Sequence, residues 1–181
     1  EAPGVASAYP FRDIKKVCDV AGGNGMLLSE ILAQHPHLEG ILVDQPARLE
    51  EARARFRQRN VLSRCELTPG DIFESVPAGA DAYLLKDVLH DWDDARSLAI
   101  LKNCRRAMNP DQRLLVVEML MVDDPAYPLV NLIDMQMMTV CSEGRQRSEE
   151  QFRALFHEAG FDLCKVHPLP GLASIVEGIA K

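Results

Sequence analysis

A glycine-rich loop near the start of the chain has the residue types needed to hold a small organic ligand. It reads DVAGGNG at 19–25, between an apolar stretch and a helical pattern. This order of strand, loop and helix is typical of nucleotide-binding crevices. A dinucleotide site requires G-x-G-x-x-G, but the frame that starts at Gly23 has Leu28 where a small residue is needed. The loop therefore predicts a nucleotide-like ligand and argues against NAD.

Two aspartates define the predicted ligand further. Asp19 stands just before the glycines, where its charge would repel a pyrophosphate and could hold an amino group. Asp44 follows the second predicted strand, the position from which an acid hydrogen-bonds ribose hydroxyls. S-adenosylmethionine has a ribose, an amino group and no phosphate, so it fits these two acids. A plain glycine turn beside an incidental acid is the alternative that the loop alone leaves open.

His90 and Glu118 are the candidates for proton transfer. His90 lies just beyond the fourth predicted strand, and Glu118 ends the fifth. The carboxyl ends of parallel strands meet at one edge of a sheet, which is where ligands bind in such folds. An imidazole at that edge can act as a general base, and a glutamate can orient it and stabilise its protonated form. For an isolated histidine, a polar loop residue is the alternative interpretation, and the HDW context together with Glu118 favours catalysis.

A histidine base restricts the hydroxyl group that it can activate. A phenol has a pKa of about 10 and an unperturbed histidine one of about 6.5. Complete proton transfer from the phenol to the imidazole would therefore cost roughly 5 kcal/mol, a barrier that a base acting while the oxygen attacks can lower. An unactivated aliphatic alcohol would be far harder to deprotonate. The hydroxyl group that this base favours is an acidic aromatic or enolic one.

Apolar strands and amphipathic helices alternate over most of the chain. The predicted strands are 16–20, 40–43, 65–68, 82–85 and 114–117, and the predicted helices are 26–35, 47–59 and 94–108. This alternation predicts an α/β fold with a mostly parallel, doubly wound sheet covered on both faces. Predicted helices at about 128–141 and 149–159 then precede strands at about 161–167 and 173–179. The short connection between these strands predicts an antiparallel C-terminal hairpin at the sheet edge.

Five short motifs occur in a fixed order along the chain. They are DVAGGNG at 19–25, DQP at 44–46, GDIF at 70–73, KDVLHDW at 86–92 and GRQRSEEQF at 144–152. Together they resemble the glycine loop, D-x-P, GD-x-F, K-x-x-x-H-D-W and G-K/R-E-R-T-x-x-E-F elements of the S-adenosylmethionine-dependent O-methyltransferases that modify phenolic natural products. Plant caffeate and flavonoid enzymes, acetylserotonin methyltransferase and bacterial polyketide-tailoring enzymes belong to this family. The resemblance covers about residues 13–181 and implies a Rossmann-like methyltransferase fold.

The resemblance implies S-adenosylmethionine as the cofactor and assigns roles at the matching positions. Asp44 would hold the ribose, Asp71 and Ile72 would frame the adenine, and Lys86 would line the pocket. Ala21 occupies a loop position that is often glycine, and its contact would be made through the backbone. The full set of implied cofactor-binding residues is Asp19, Ala21, Gly23, Asp44, Asp71, Ile72 and Lys86.

The resemblance also implies a catalytic set and a substrate surface. His90 would be the general base and Glu118 its support. Gln146 stands where relatives usually have a second glutamate, and an amide there can accept a hydrogen bond but cannot neutralise an imidazolium. Trp92 is predicted to pack behind the base. The candidate substrate contacts are Asp91, Met135, Met138 and Cys141, although ordinary helix packing explains the last three equally well.

Composition fits one globular domain and excludes several classes of function. The chain has 181 residues and a net charge of −7, which argues against a nucleic-acid partner. It has neither an apolar run long enough to cross a bilayer nor a secretory signal pattern, so no membrane partner and a cytoplasmic location are expected. The five cysteines form no CxxC pair and are interpreted as reduced thiols. No metal site is predicted.

Residues 1–12 are predicted to be a linker because Pro3, Gly4 and Pro10 interrupt any periodicity, and 13–181 are predicted to be the catalytic domain. Family members carry a further N-terminal helical domain. The chain is expected to lack it and to form a homodimer only in its presence.

The predicted function is an O-methyltransferase acting on a small aromatic hydroxyl compound. A non-catalytic cofactor-binding domain serving assembly or regulation is the alternative that Gln146 and the missing domain motivate. An NAD-dependent oxidoreductase is disfavoured by Leu28 and Asp19.

Overall fold

A computed structural model describes residues 2–121 and 144–181 of the chain. Its strands are β1 (Lys16–Val20), β2 (Glu39–Asp44), β3 (Cys65–Pro69), β4 (Ala82–Lys86), β5 (Arg113–Met119), β6 (Phe161–Pro168) and β7 (Ala173–Ala180). They form one sheet in the order β3-β2-β1-β4-β5-β7-β6. Strands β1 to β5 pair in parallel, whereas β7 runs antiparallel to both β5 and β6. The predicted mostly parallel sheet with an antiparallel hairpin at its edge is confirmed.

Helices cover both faces of this sheet. They are α1 (Ala2–Ala8), α2 (Met26–Gln34), α3 (Pro46–Gln58), α4 (Asp94–Ala107) and α5 (Glu149–Ala159). The apolar residues of α1, α2 and α3 pack on one face, and those of α4 and α5 pack on the other. Strand β5 shows why both faces are apolar: Leu115 and Val117 join the first core, while Leu114 and Val116 join the second.

Helix caps set where the chain enters α4 and α5. Asp93 caps α4 by accepting a hydrogen bond from the backbone N–H of Arg96. Ser148 and Gln151 form a reciprocal capping box at the start of α5, which ends at a left-handed Gly160. These caps fix the segments just before each helix, and those segments contain two of the motifs described above.

The prediction of a linker over residues 1–12 is wrong for the part that the structure describes. Residues 2–8 form α1, and Val5, Tyr9 and Phe11 are buried in the core of the first face. The Tyr9 hydroxyl donates a hydrogen bond of 2.7 Å to Oε1 of Glu177 in β7. Pro3 does not prevent the helix, because proline is tolerated in a first helical turn. This segment therefore belongs to the domain.

The predicted helix at about 128–141 lies outside the described residues, as do Met135, Met138 and Cys141. The other predicted helices and strands agree with the structure to within a few residues. Among the described helices, none combines the length and apolar character that crossing a membrane requires.

Candidate active site

The glycine-rich loop joins β1 to α2 at the carboxyl edge of the sheet. Its backbone turns sharply, with the N–H of Gly25 donating to the carbonyl of Gly22 at 3.0 Å. Gly23 has a φ of 59° and Ala21 one of 56°, so both adopt left-handed backbone. An L-residue in this conformation costs roughly 1–2 kcal/mol. The alanine that departs from the family pattern is thus held in a strained conformation, of a kind often found at binding sites.

Asp19 is buried beneath this loop with one oxygen unused. The residue is 1% exposed, and its Oδ2 accepts no hydrogen bond from any described residue. A Cβ at Gly22 would lie only 2.5 Å from that oxygen and 2.2 Å from Cδ1 of Leu42, so the loop can pass over Asp19 only with glycine there. Burial, reinforced by the charge of Asp44, raises the pKa of Asp19 to about 7 against the opposing charge of Lys86. Oδ2 of Asp19 thus has no hydrogen-bond donor among the described residues, and a bound ligand could supply one.

Two cavities share Ala21 as a lining residue. The loop cavity has a volume of about 440 Å³, and the sheet-edge cavity one of about 770 Å³. Among the predicted cofactor-binding residues, the loop cavity is lined by Asp19, Ala21, Gly23 and Lys86. The sheet-edge cavity is lined by Ala21, Asp44, Asp71 and Ile72. The structure therefore places all seven predicted residues around two adjoining cavities.

Asp44 links the loop to the end of β2. Its Oδ2 accepts a hydrogen bond of 2.7 Å from the N–H of Gly23, and its Oδ1 accepts one of 2.7 Å from the N–H of Gln45. Each carboxylate oxygen has a second lone pair, so the group can still accept hydrogen bonds from a ligand in the sheet-edge cavity. Asp44 is consequently both an anchor of the loop and a candidate ligand contact.

The far wall of the sheet-edge cavity is aromatic. Asp71 turns the chain there by accepting a hydrogen bond of 2.8 Å from the N–H of Phe73. The Phe73 and Trp92 rings meet edge to face, with centroids 4.9 Å apart, and both residues line the cavity. Trp92 also packs against the core of the second face. That it packs behind the base stays a prediction.

His90 and Glu118 form a close pair, as predicted from the ends of β4 and β5. Nδ1 of His90 lies 2.6 Å from Oε2 of Glu118, whose side chain is 1% exposed. Oε1 of Glu118 accepts hydrogen bonds from the N–H groups of Val88 and Leu89 at 3.1 and 2.9 Å. With Nδ1 donating to this carboxylate, Nε2 is the imidazole nitrogen that can accept a proton, a tautomer assigned from the hydrogen bonds.

The charges around the imidazole increase its basicity. Burial alone would lower the pKa of His90, but the hydrogen bond and charge of Glu118, with the charges of Asp91 and Asp87, raise it above its ordinary value. Asp91, a predicted substrate contact, has Oδ1 at 3.5 Å from Nε2 of His90. It is therefore placed to interact with the protonated form of the imidazole.

Asp87, His90 and Glu118 also bring possible metal-ligand atoms within 4.8 Å of one another. Nδ1 of His90 is already committed to Glu118, and Asp87 is paired with Lys86. A metal ion bound through Nδ1 and the Asp87 carboxylate would compete with both interactions. The arrangement suits proton transfer better than metal binding, and the absence of a metal stays a prediction.

Gln146 is 7% exposed and lies in the segment that enters α5. The next residue, Arg147, forms a parallel β-bridge with Leu120, just beyond the end of β5. This bridge brings the segment to the same edge of the sheet as Glu118. The role of Gln146 beside the imidazole stays a prediction.

Comparisons with known proteins match this chain over most of its length. A family described as an O-methyltransferase domain matches residues 2–162, including α1. The phenazine O-methyltransferase PhzM of Lysobacter antibioticus is 40% identical over 97% of this chain and 51% of its own length. The mitomycin 7-O-methyltransferase MmcR superposes with a TM-score of 0.94 at 39% identity, covering 99% of this chain and 53% of that one.

A third match was solved with its ligands. NcsB1, an O-methyltransferase from neocarzinostatin biosynthesis, is in complex with S-adenosylmethionine and 2-hydroxy-5-methyl naphthoic acid. It superposes with a TM-score of 0.89 at 34% identity and covers 98% of this chain and 52% of that one. The chain thus spans about half the length of the relatives that it matches.

Proposed function

Because the chain belongs to the O-methyltransferase domain family, we propose that it methylates an acidic hydroxyl of a small aromatic or enolic compound. S-adenosylmethionine is the proposed methyl donor, and His90 is the proposed general base. The observation that carries the proposal is the close pair of the partly buried His90 and the buried Glu118, together with two adjoining acidic cavities.

The charge of the cavities favours a cationic ligand. Five aspartates line them, and Lys86 is the one basic residue among their lining residues. Such a concentration of negative charge attracts cations and repels the pyrophosphate of NAD. The aspartates are Asp19, Asp44, Asp71, Asp87 and Asp91.

Individual residues fit separate parts of S-adenosylmethionine. The unused oxygen of Asp19 suits an ammonium group, Asp44 suits ribose hydroxyls, and Ile72 with Trp92 offers apolar surface to adenine. When bound, this cofactor supplies an electrophilic methyl group. The residues of the chain bind it, orient it and shield it from water.

His90 would remove the proton that the acceptor hydroxyl loses. Nε2 takes this proton while Nδ1 continues to donate to Glu118, so the positive charge that forms on the imidazole faces a buried carboxylate. Because the pKa of His90 is raised, it lies closer to the pKa of a phenol, and proton transfer from the phenol to His90 costs less free energy. The base is functional only when neutral, so turnover should fall as the pH drops below this raised pKa.

Two measurements test the proposed function. Calorimetric titration should show binding of S-adenosylhomocysteine and none of NAD. Transfer of radiolabelled methyl groups from S-adenosylmethionine to a panel of phenols should then yield a labelled product. Binding of NAD in place of S-adenosylhomocysteine would contradict the cofactor assignment. Cofactor binding without transfer to any phenol, also after an N-terminal domain from a relative has been fused to the chain, would favour a non-catalytic binding domain.

Cofactor affinity should depend on pH through Asp19. Its pKa of about 7 means that roughly a tenth of the carboxyl groups are ionised at pH 6 and nine tenths at pH 8. An ammonium group binds the ionised form, so the affinity for S-adenosylhomocysteine should rise about tenfold between these pH values. Calorimetry at both pH values checks this. Asp19→Asn should bind weakly with little pH dependence, and equal wild-type affinities at pH 6 and pH 8 would exclude the contact.

A further inference from the structure

Arg147 is fully buried at the edge of the sheet that carries the base. Its side chain is 1% exposed, which is unusual for a charged residue. Its backbone pairs with Leu120, and its carbonyl accepts a hydrogen bond of 2.9 Å from the N–H of Met121. The backbone of Arg147 is therefore fastened just beyond the strand that ends in Glu118.

The guanidinium of Arg147 reaches from there to the turn that carries His90. Nη1 donates to the carbonyl of Leu89 at 2.7 Å, and Nη2 donates to the carbonyl of Trp92 at 2.8 Å. These two carbonyls lie on either side of His90 along the chain. One planar group thus holds both flanks of the short 3₁₀ turn Leu89–Asp91.

The same guanidinium is tied to the start of α4. Nη2 donates to Oγ of Ser97 at 3.1 Å, and Nε donates to Oδ1 of Asp94 at 3.0 Å. Asp94 is also paired with Arg145. Partial burial would raise the pKa of Asp94, but its bonds to Arg145 and Arg147 outweigh that effect and lower it. A buried cation is costly unless it is paired and hydrogen-bonded, and Arg147 meets both conditions.

We propose that Arg147 is a positioning residue for His90. It fixes the turn from both sides, so that the imidazole stays aligned with Glu118 and Nε2 stays available to accept a proton. This inference rests on the proposed function, because it concerns the same base. A lysine cannot replace the arginine here, since a single ammonium group cannot span two carbonyls and a carboxylate in the same fixed geometry.

The test is the pKa of His90, read by NMR titration of the 181-residue chain without cofactor or acceptor. The His90 signal is identified by its loss in His90→Gln. In Arg147→Met and Arg147→Lys, misalignment should weaken the bond to Glu118, so the pKa should fall toward about 6.5. Arg145→Met is the matched control: it also loses a cation paired with Asp94 but keeps the hydrogen bonds of Arg147 to the turn, so the pKa of His90 should stay at its wild-type value.

A role through charge alone would give the opposite result. Removing a cation near the His90–Glu118 pair favours the imidazolium, so an unchanged or raised pKa in the folded variants would overturn the proposal. Loss of the folded spectrum in both Arg147 variants would overturn it as well, because Arg147 would then serve the fold as a whole. If the chain transfers methyl groups, the acidic limb of the pH profile should shift with the pKa of His90. We also expect kcat to fall roughly 10- to 100-fold with little change in KM.

These measurements distinguish a failure of the positioning role of Arg147 from a failure of the proposed methyltransferase function. The NMR titration gives a result whether or not the chain is an active methyltransferase. Failure of wild-type methyl transfer would count against the proposed function and would leave the titration result standing. A normal wild-type enzyme with unshifted His90 titration in the variants would count against Arg147 alone.

Discussion

Replacing His90 with glutamine should lower the single-turnover rate of methyl transfer by about 10²- to 10⁴-fold, the usual contribution of a positioned general base. Glutamine can still accept a hydrogen bond from the acceptor hydroxyl, but it cannot take the proton. The affinity for S-adenosylhomocysteine should be unchanged, because His90 lines neither cavity. Rapid-quench measurements with the labelled cofactor and a phenol acceptor would give the rate.

The matched control for this variant is His157→Gln, which changes an exposed histidine in α5 far from the base along the chain. It should keep the wild-type rate. The loss in His90→Gln should be largest with weakly acidic phenols and smallest with strongly acidic ones, since the latter ionise with little help. A near-wild-type rate for His90→Gln, or an equal loss on all acceptors, would mean that His90 is not the base.

Replacing Asp44 with alanine should weaken S-adenosylhomocysteine binding by about ten- to a hundredfold, which corresponds to the roughly 1.5–3 kcal/mol of a charge-assisted hydrogen bond. The variant also removes the acceptor for the Gly23 N–H, so part of the loss comes from a loosened loop. Asp44→Asn should lose less than the alanine variant, because an amide oxygen can still accept one of these bonds. Calorimetry on the three proteins measures the series.

The control for the Asp44 series is Glu50→Ala, which removes an acid whose side chain is 77% exposed on α3. Its affinity should equal that of the wild type. Circular dichroism should show the same thermal transition for Glu50→Ala and the wild type and a modestly lower one for Asp44→Ala. Unchanged affinity in a folded Asp44→Ala protein would remove Asp44 from the cofactor site.

The parts of this protein that could be predicted from the sequence are those with local signals. Strand β1 is an apolar run ended by glycines, and its predicted bounds agree with the structure. His90 and Glu118 could be brought together because each follows a strand in a parallel sheet, and such ends meet at one edge. In both cases a short stretch of sequence predicts where a strand ends, and the regular geometry of a parallel sheet then predicts which residues lie close together.

The parts that could not be predicted depend on distant partners. Helix α1 has no charged residue and no clear periodicity, and it is held through Tyr9 by Glu177, which lies 168 residues further along the chain. Arg147 bonds to backbone carbonyls, and no residue type in the sequence marks which carbonyls those are. The left-handed backbone of Ala21 could not be predicted from the residue itself either, because glycine favours such a conformation and alanine does not.

Strand β7 lies between β5 and β6, although it leaves the ribosome after both. Until Ala173–Ala180 has been synthesised, one edge of the apolar strand β5 has no neighbour in the described sheet, and an open edge of this kind can pair with other chains. The hydrogen bond of Tyr9 also cannot form before this strand has been synthesised, because its partner Glu177 lies in β7. Until β7 has been synthesised, the nascent chain therefore exposes a strand edge that can pair with other chains. Addition of β7 both completes the sheet and anchors the first helix.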